Sequence, residues 1–266
     1  FLYNSPQTKE QVNHCLERLV WRIAACLSPK LCRLLIYNGG QPGSVFNSHL
    51  LINDFLFQEN STKVYLAGSA DKFGKQLDAI YDSILPRTSA ISIANKSSLV
   101  DLNEALGKEA KIPFQFIFLT DIPHGLNMSH AEKLFHIVKA GAKAGIYVIL
   151  TWDMAARFEE NGYASGNFNP QSLLQEMELL FPQGNKFLFR NSGHDDVLNR
   201  FLFEIDEKPV GTEEARLCSE FIDRQVKEAT KVQKRGILKQ DFDGLKKHQY
   251  EPTTSEISVS IGLDIS

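Results

Sequence analysis

The sequence predicts an α/β fold, with a mainly parallel sheet covered by helices on both faces and a C-terminal helix and linker after it. Two runs carry the prediction: FQFIFLT over 114–120 and IYVILTW over 146–152, which are strongly apolar and show no polar alternation. Strands of that kind are buried on both sides, as in parallel sheets sandwiched between helices. Amphipathic helical segments separate them, which is the βαβ arrangement. The size agrees, because 266 residues at 43% hydrophobic bury one large core and leave an appendage.

In chain order, residues 1–3 read as the tail of a strand. Over 11–27, Val12, Cys15, Leu16, Leu19, Val20, Ile23 and Leu27 recur at steps of three and four, which places them on one helix face until Ser28 and Pro29 stop it. A short buried strand over 31–37, LCRLLIY, runs into NGGQPGS, whose glycines and proline force a loop at its carboxyl end. Residues 63–66 read as another short strand, and 71–85 as a helix with Phe73, Leu77, Ile80, Tyr81 and Ile84 on one side. A short helix over 97–106 precedes the strand at 114–120. A helix over 129–142 follows, with Leu134, Ile137 and Val138 inward and Ser129 as its cap. Gly145 then opens the second apolar strand. After Phe158 come a Gly- and Asn-rich loop, a helix over 171–180, edge strands at 186–190 and 201–204, and a polar helix over 212–234. The predicted organisation is one α/β domain over 1–205, then a helix, basic linker and strand over 206–266 leading toward a following unit. The start at the end of a strand, and the alternating tail EPTTSEISVSIGLDIS, lead us to expect a piece of a longer protein.

Charge and cysteine usage narrow the function classes. With 29 basic against 32 acidic residues, the formal charge of −3 provides no global attraction for a polyanion. Positive charge gathers late, at Lys227, Lys231, Lys234, Arg235, Lys239, Lys246 and Lys247. A solvated helix face explains such a run more simply than a nucleic-acid or partner contact. Cys15, Cys26, Cys32 and Cys218 have no C-x-x-C spacing, and the first three sit in or beside an apolar helical pattern, which fits core cysteines in a reducing compartment. No apolar stretch approaches membrane-spanning length, and FLYNSPQTKE has neither the basic start nor the apolar centre of a signal peptide. The expected location is cytoplasmic.

Familiar site motifs are missing. No stretch fits G-x-x-x-x-G-K-[ST], whose glycines let backbone N–H groups converge on phosphates. GSADKFGKQ has one residue too many between its glycines and Gln76 in place of a hydroxyl, and IANKSS has Lys96 and Ser97 but no glycine; both read as coincidences. There is no G-x-S-x-G elbow and no G-x-G-x-x-G turn. His124, His130 and His136 are spaced by six, which does not make an i, i+4 metal pair, and they read as surface or capping residues. His194, Asp195 and Asp196 form a turn-like cluster of a common surface kind.

The block that ends at Asp153 is more informative: it reads DLNEALGKEAKIPFQFIFLTDI, then a helix, then AGAKAGIYVILTWD. It resembles the Walker B region of the FtsK/SpoIIIE family of ring-forming motor ATPases, within the wider FtsK–HerA group. In that family a segment ending Y-N-E leads through L-P into a hydrophobic strand closing in D-E; a helix and G-R-A-A-G-I-H then precede a strand ending I-L-A-T-Q. Further out, the helix at Gln11 and the strand LCRLLIYNGG resemble the helix after the P-loop and the next strand, which normally ends I-D-P-K. The helix ending ILPR resembles the segment closing M-E-R-R, with Arg87 at its last arginine. The resemblance spans 1–205 and implies a RecA-like P-loop NTPase fold.

The departures fall on catalytic positions. Asp121 takes the place of the aspartate that holds magnesium through water, but Ile122 stands where a glutamate polarises the attacking water. The implied P-loop falls on YNSPQTKEQ: Lys9 matches the family lysine, Tyr3 and Thr8 replace glycines, and Glu10 replaces the hydroxyl. Pro6 lacks a backbone donor, and Glu10 sets negative charge beside a triphosphate. Ala142 replaces the arginine of G-R-A-A-G, and Asp153 the sensor glutamine. The resemblance thus implies a degenerate ATPase module with Lys9, Asp121 and Asp153 as vestigial nucleotide-site positions, without catalytic residues, metal ligands or a cofactor of its own. ATP and magnesium are expected on an active module elsewhere in the parent. The implied role is scaffold or regulator for DNA translocation or, in the related type VII secretion ATPases, for protein export. Partners would be other ATPase modules of the same chain or ring, and DNA or a protein substrate. Two rivals are a nucleotide-binding ATPase with a non-standard phosphate site built on NGGQPGS and Asp121, and a stand-alone DNA-binding domain using the late lysines. Taken alone, FIFLTD reads as a buried strand with a capping aspartate; the ordered run of matches around it favours the resemblance instead.

Overall fold

The computed structural model describes residues 1–28, 30–39, 64–107, 110–156, 168–190, 201–205 and 207–238. Most of NGGQPGS, the loop after Phe158, the cluster of His194, Asp195 and Asp196, and the tail with Lys239, Lys246 and Lys247 lie outside these residues.

The chain opens with β1 (Leu2–Tyr3) and turns at once into α1 (Pro6–Cys26). Then come β2 (Cys32–Asn38), β3 (Val64–Ala67), α2 (Ala70–Asp82), α3 (Ile84–Ile93), α4 (Leu99–Ala105), β4 (Phe114–Ile122), α5 (Met128–Gly141) and β5 (Ile146–Asp153). These five strands form one sheet in the order β1-β5-β4-β2-β3, every pair parallel. Alternate residues of one strand feed two cores, as both faces of a strand require. Leu35, Tyr37, Ile117 and Leu119 pack with Phe73 and Leu77 of α2 and with Leu134 and Ile137 of α5. Leu34, Ile36 and Phe118 pack with Leu16, Val20 and Trp21 of α1. The sheet is therefore covered on both sides, as the uninterrupted apolar runs predict.

The rest of the chain adds α6 (Ser172–Gln175), β6 (Leu179–Gln183), β7 (Lys186–Arg190), β8 (Leu202–Phe203) and α7 (Thr212–Leu238). The three strands make a second, antiparallel sheet in the order β6-β7-β8. Ala215 and Ile222 of α7 join the α1 core, and Arg18 of α1 bonds both carboxylate oxygens of Glu214, at 2.7 and 3.1 Å.

Several expectations are corrected. The first helix begins at Pro6 rather than at 11, because Ser5 caps it and proline is pre-set for a first helical turn. The helix expected over 71–85 breaks at Ser83: Pro86 has no N–H to continue the ladder, so α3 starts afresh. Asn127, not Ser129, caps α5, its Oδ1 accepting from the His130 N–H at 2.8 Å. The helix expected over 171–180 shrinks to α6, since 179–183 pairs with β7 around a turn in which Gly184 has φ +67. Strand 186–190 is the centre of the small sheet rather than an edge of the large one. Cys26 is exposed instead of core, at the outward face of the last turn of α1, and His130 is buried.

Candidate functional site at the carboxyl edge of the sheet

Parallel strands deliver their last residues to one edge, which is where open α/β sheets bind ligands. Here the register sets Tyr3 opposite Asp153 and Asn38 opposite Thr120, with Asp121 following between them. Asp121 is 3% exposed and has φ +59, while the β4–β5 register shifts between Leu119 and Ile122. A non-glycine residue in this region is held by its surroundings. The Asp121 N–H donates to Thr151 Oγ1 at 3.0 Å, and its carbonyl accepts from the His124 N–H at 2.9 Å. Past the irregularity Ile122 is fully buried in the apolar core, so the position next to Asp121 faces away from the edge.

The Asp121 carboxylate points at the start of α1. One oxygen, Oδ1, accepts from the Tyr3 hydroxyl at 2.9 Å and lies 2.8 Å from Lys9 Nζ. Lys9 also stands over the Tyr3 ring, 5.6 Å from its centroid. Burial, and then the neighbouring Asp121, push the Tyr3 phenol far above its ordinary range, so it remains a donor. The first turn of α1 is closed by its own side chains. Ser5 Oγ accepts from the Thr8 N–H at 3.2 Å, and Thr8 Oγ1 accepts from the Ser5 N–H at 3.2 Å, a reciprocal capping box. The Lys9 N–H is given to the Ser5 carbonyl at 2.9 Å, and Pro6 has none to give. Two of the amides that could hold phosphate at this helix start, those of Thr8 and Lys9, are thus engaged within the chain.

Asp153 closes β5 at the same edge but contacts neither Lys9 nor a metal-like cluster. Its Oδ1 accepts from the Ala155 N–H at 2.9 Å, and its Oδ2 is 3.7 Å from His124 Nε2. On the other side, β2 ends against the turn after β4. The Gly39 N–H donates to the Thr120 carbonyl at 2.9 Å, and a Cβ on Gly39 would lie 1.8 Å from the His124 carbonyl oxygen. The first glycine of NGGQPGS therefore serves a close backbone approach, with its donor already used.

Of the positions expected from the sequence, Lys9 and Asp121 come together, and Asp153 shares their edge. Arg87 lies elsewhere: it is buried near the amino ends of β4 and β5, bonding the carbonyls of Pro113 and Ala144 at 2.9 and 3.2 Å. Ala142 is exposed beside Ala144 at that opposite end. In GSADKFGKQ, Ser69 caps α2 and Gly74 lies under His130. In IANKSS, Ser97 and Ser98 bond Asp101. Sequence reasoning missed Tyr3 and Thr151 as partners of Asp121; the signal was that Tyr3 ends its strand and Thr151 lies two residues before the end of its own, at the edge where Asp121 emerges. Among the described residues no group of three or more His, Cys, Asp and Glu could hold a metal ion. At this edge the lysine is paired with Asp121, the Thr8 and Lys9 amides are bonded to Ser5, and Glu10 carries no hydroxyl. No helix among the described residues is long and apolar enough to cross a membrane.

No family model matches the chain, and no curated protein matches it. Solved structures do. EccC (ATPases 2 and 3) of Thermomonospora curvata, in complex with a signal sequence peptide, superposes with a TM-score of 0.54 at 13% identity, over 84% of this chain and 42% of that one. EssC (ATPases 2 and 3) from Geobacillus thermodenitrificans gives 0.52 at 14% identity, over 84% and 43%. The pCW3 conjugation coupling protein TcpA, a monomer form with ATPγS, gives 0.51 at 6% identity, over 84% and 63%. At such identities the likeness is one of fold, and this chain spans less than two thirds of each of these structures.

Proposed function

We propose that this chain is a non-hydrolysing module of ATPase fold that serves as scaffold or regulator inside a larger translocating motor. The observation that carries the reading is the Lys9–Asp121 contact: the two groups that a nucleotide and its metal would separate are bonded to each other at 2.8 Å. Ile122, fully buried, supplies no proton acceptor. The capping box and the committed Gly39 N–H weigh against the rival phosphate site. In this reading ATP and magnesium belong to another module of the parent. Of the two cargo classes, polypeptide is favoured, on the strength of the EccC fold relative carrying a signal sequence peptide and of the −3 formal charge. Calorimetric titration with magnesium ATP, together with a phosphate-release assay, tests the proposal. No binding heat and no turnover are expected; micromolar binding or measurable hydrolysis overturns it.

A further inference from the structure

We infer that Asp121 acts as a built-in counter-ion for Lys9, an autoinhibitory contact that keeps polyphosphate anions off this edge. The inference rests on the reading above and adds how the site is kept closed.

The two halves of the contact differ in mobility. Asp121 is fixed: its N–H is bonded to Thr151, its carbonyl to the His124 N–H, and Oδ1 takes the Tyr3 hydroxyl as well as Lys9. Its side chain is 4% exposed, that of Lys9 37%. A carboxylate out of water attracts an ammonium more strongly than an exposed one does, and a bond to an ionised group is the stronger kind. Lys9 is a flexible stem that solvent reaches and that a fixed carboxylate retains. An anion arriving from solvent therefore meets a lysine already neutralised. It also meets Asp153 at the same edge and Glu10, whose side chain is 73% exposed, beside Lys9 in α1. With one carboxylate bonded to the lysine and two more at or beside the same edge, the local charge disfavours anions, and the lysine joins an anion only after leaving Asp121.

Neutralising Asp121 without changing its shape should release that lysine. Asp121→Asn keeps an oxygen for the Tyr3 hydroxyl and removes the charge. Inorganic pyrophosphate is the probe, titrated calorimetrically into the wild-type chain, Asp121→Asn, and Asp121→Asn combined with Lys9→Met. The wild type should show no binding. The single variant should bind at least tenfold more tightly than the wild type, less so in high salt, and the double variant should lose the gain. A folded Asp121→Asn protein that binds no better than wild type overturns the inference, as does a gain that survives Lys9→Met. The wild type supplies a second readout that does not depend on the variant folding, namely acylation of lysines followed by mass spectrometry. Lys9 should react at least tenfold more slowly than the exposed Lys72 and Lys75; equal rates contradict the contact. Pyrophosphate binding by the wild type likewise overturns the inference, whereas turnover of ATP by the wild type would sink the functional proposal itself, so the two failures are distinguishable.

Discussion

The Tyr3 hydroxyl reaches Asp121 across 118 positions of sequence, and no local pattern announces such a bond. Lys9 and Asp121 were legible because each matches a motif position; Tyr3 was legible only as a lost glycine. The bond exists because β1 lies beside β5, which lies beside β4, and that order is a property of the sheet. Tyr3→Phe removes one donor from a buried carboxylate while preserving the ring under Lys9. It should destabilise the fold by about 1–3 kcal/mol, the penalty for a buried polar group that loses a partner, read as a lowered urea midpoint. An unchanged midpoint would show that the hydroxyl contributes nothing to holding Asp121.

Among the elements, the strands were more legible than the helix ends. Apolar runs identify β4 and β5 because nothing polar interrupts them, whereas the start of α1 depends on Ser5, Pro6 and Thr8 acting together, which periodicity does not register. That missed start matters, since a helix beginning at Pro6 leaves only Asn4 and Ser5 between it and β1. The packing of α5 on α2 holds the other surprise. His130 is 8% exposed, its Nδ1 has no partner, its ring meets Phe73 edge-on, and Gly74 makes room for its Nε2. Lys133 of α5 and Asp78 and Asp71 of α2 are the charges around it. Burial first, and then Lys133, lower its affinity for a proton, against the opposite pull of the two aspartates. The unfolded chain takes up this proton near the ordinary value of 6.5, the folded chain only at lower pH, so the unfolded state binds more protons on acidification. The contribution is thus complete above that value and lost as pH falls below it. His130→Gln should flatten the fall in urea-unfolding free energy between about pH 7 and about pH 5; an unchanged slope would contradict this account.

At the scale of the whole molecule, the doubly covered parallel sheet was legible and the small antiparallel sheet was not. The first follows from residues such as Ile36, Phe118 and Leu119, apolar on both faces of their strands. The second is built from short, half-exposed strands around Pro182 and Gly184, where amphipathic helix and hairpin look alike until pairing decides between them. What unites the carboxyl edge is a set of internal contacts: lysine with aspartate, helix cap with its own hydroxyls, Gly39 with Thr120. The most direct test is a crystal structure of the wild-type chain soaked with magnesium and ATPγS. The account predicts Lys9 Nζ still bonded to Asp121 and no nucleotide at this edge. A triphosphate seated between Lys9 and Asp121 would contradict it.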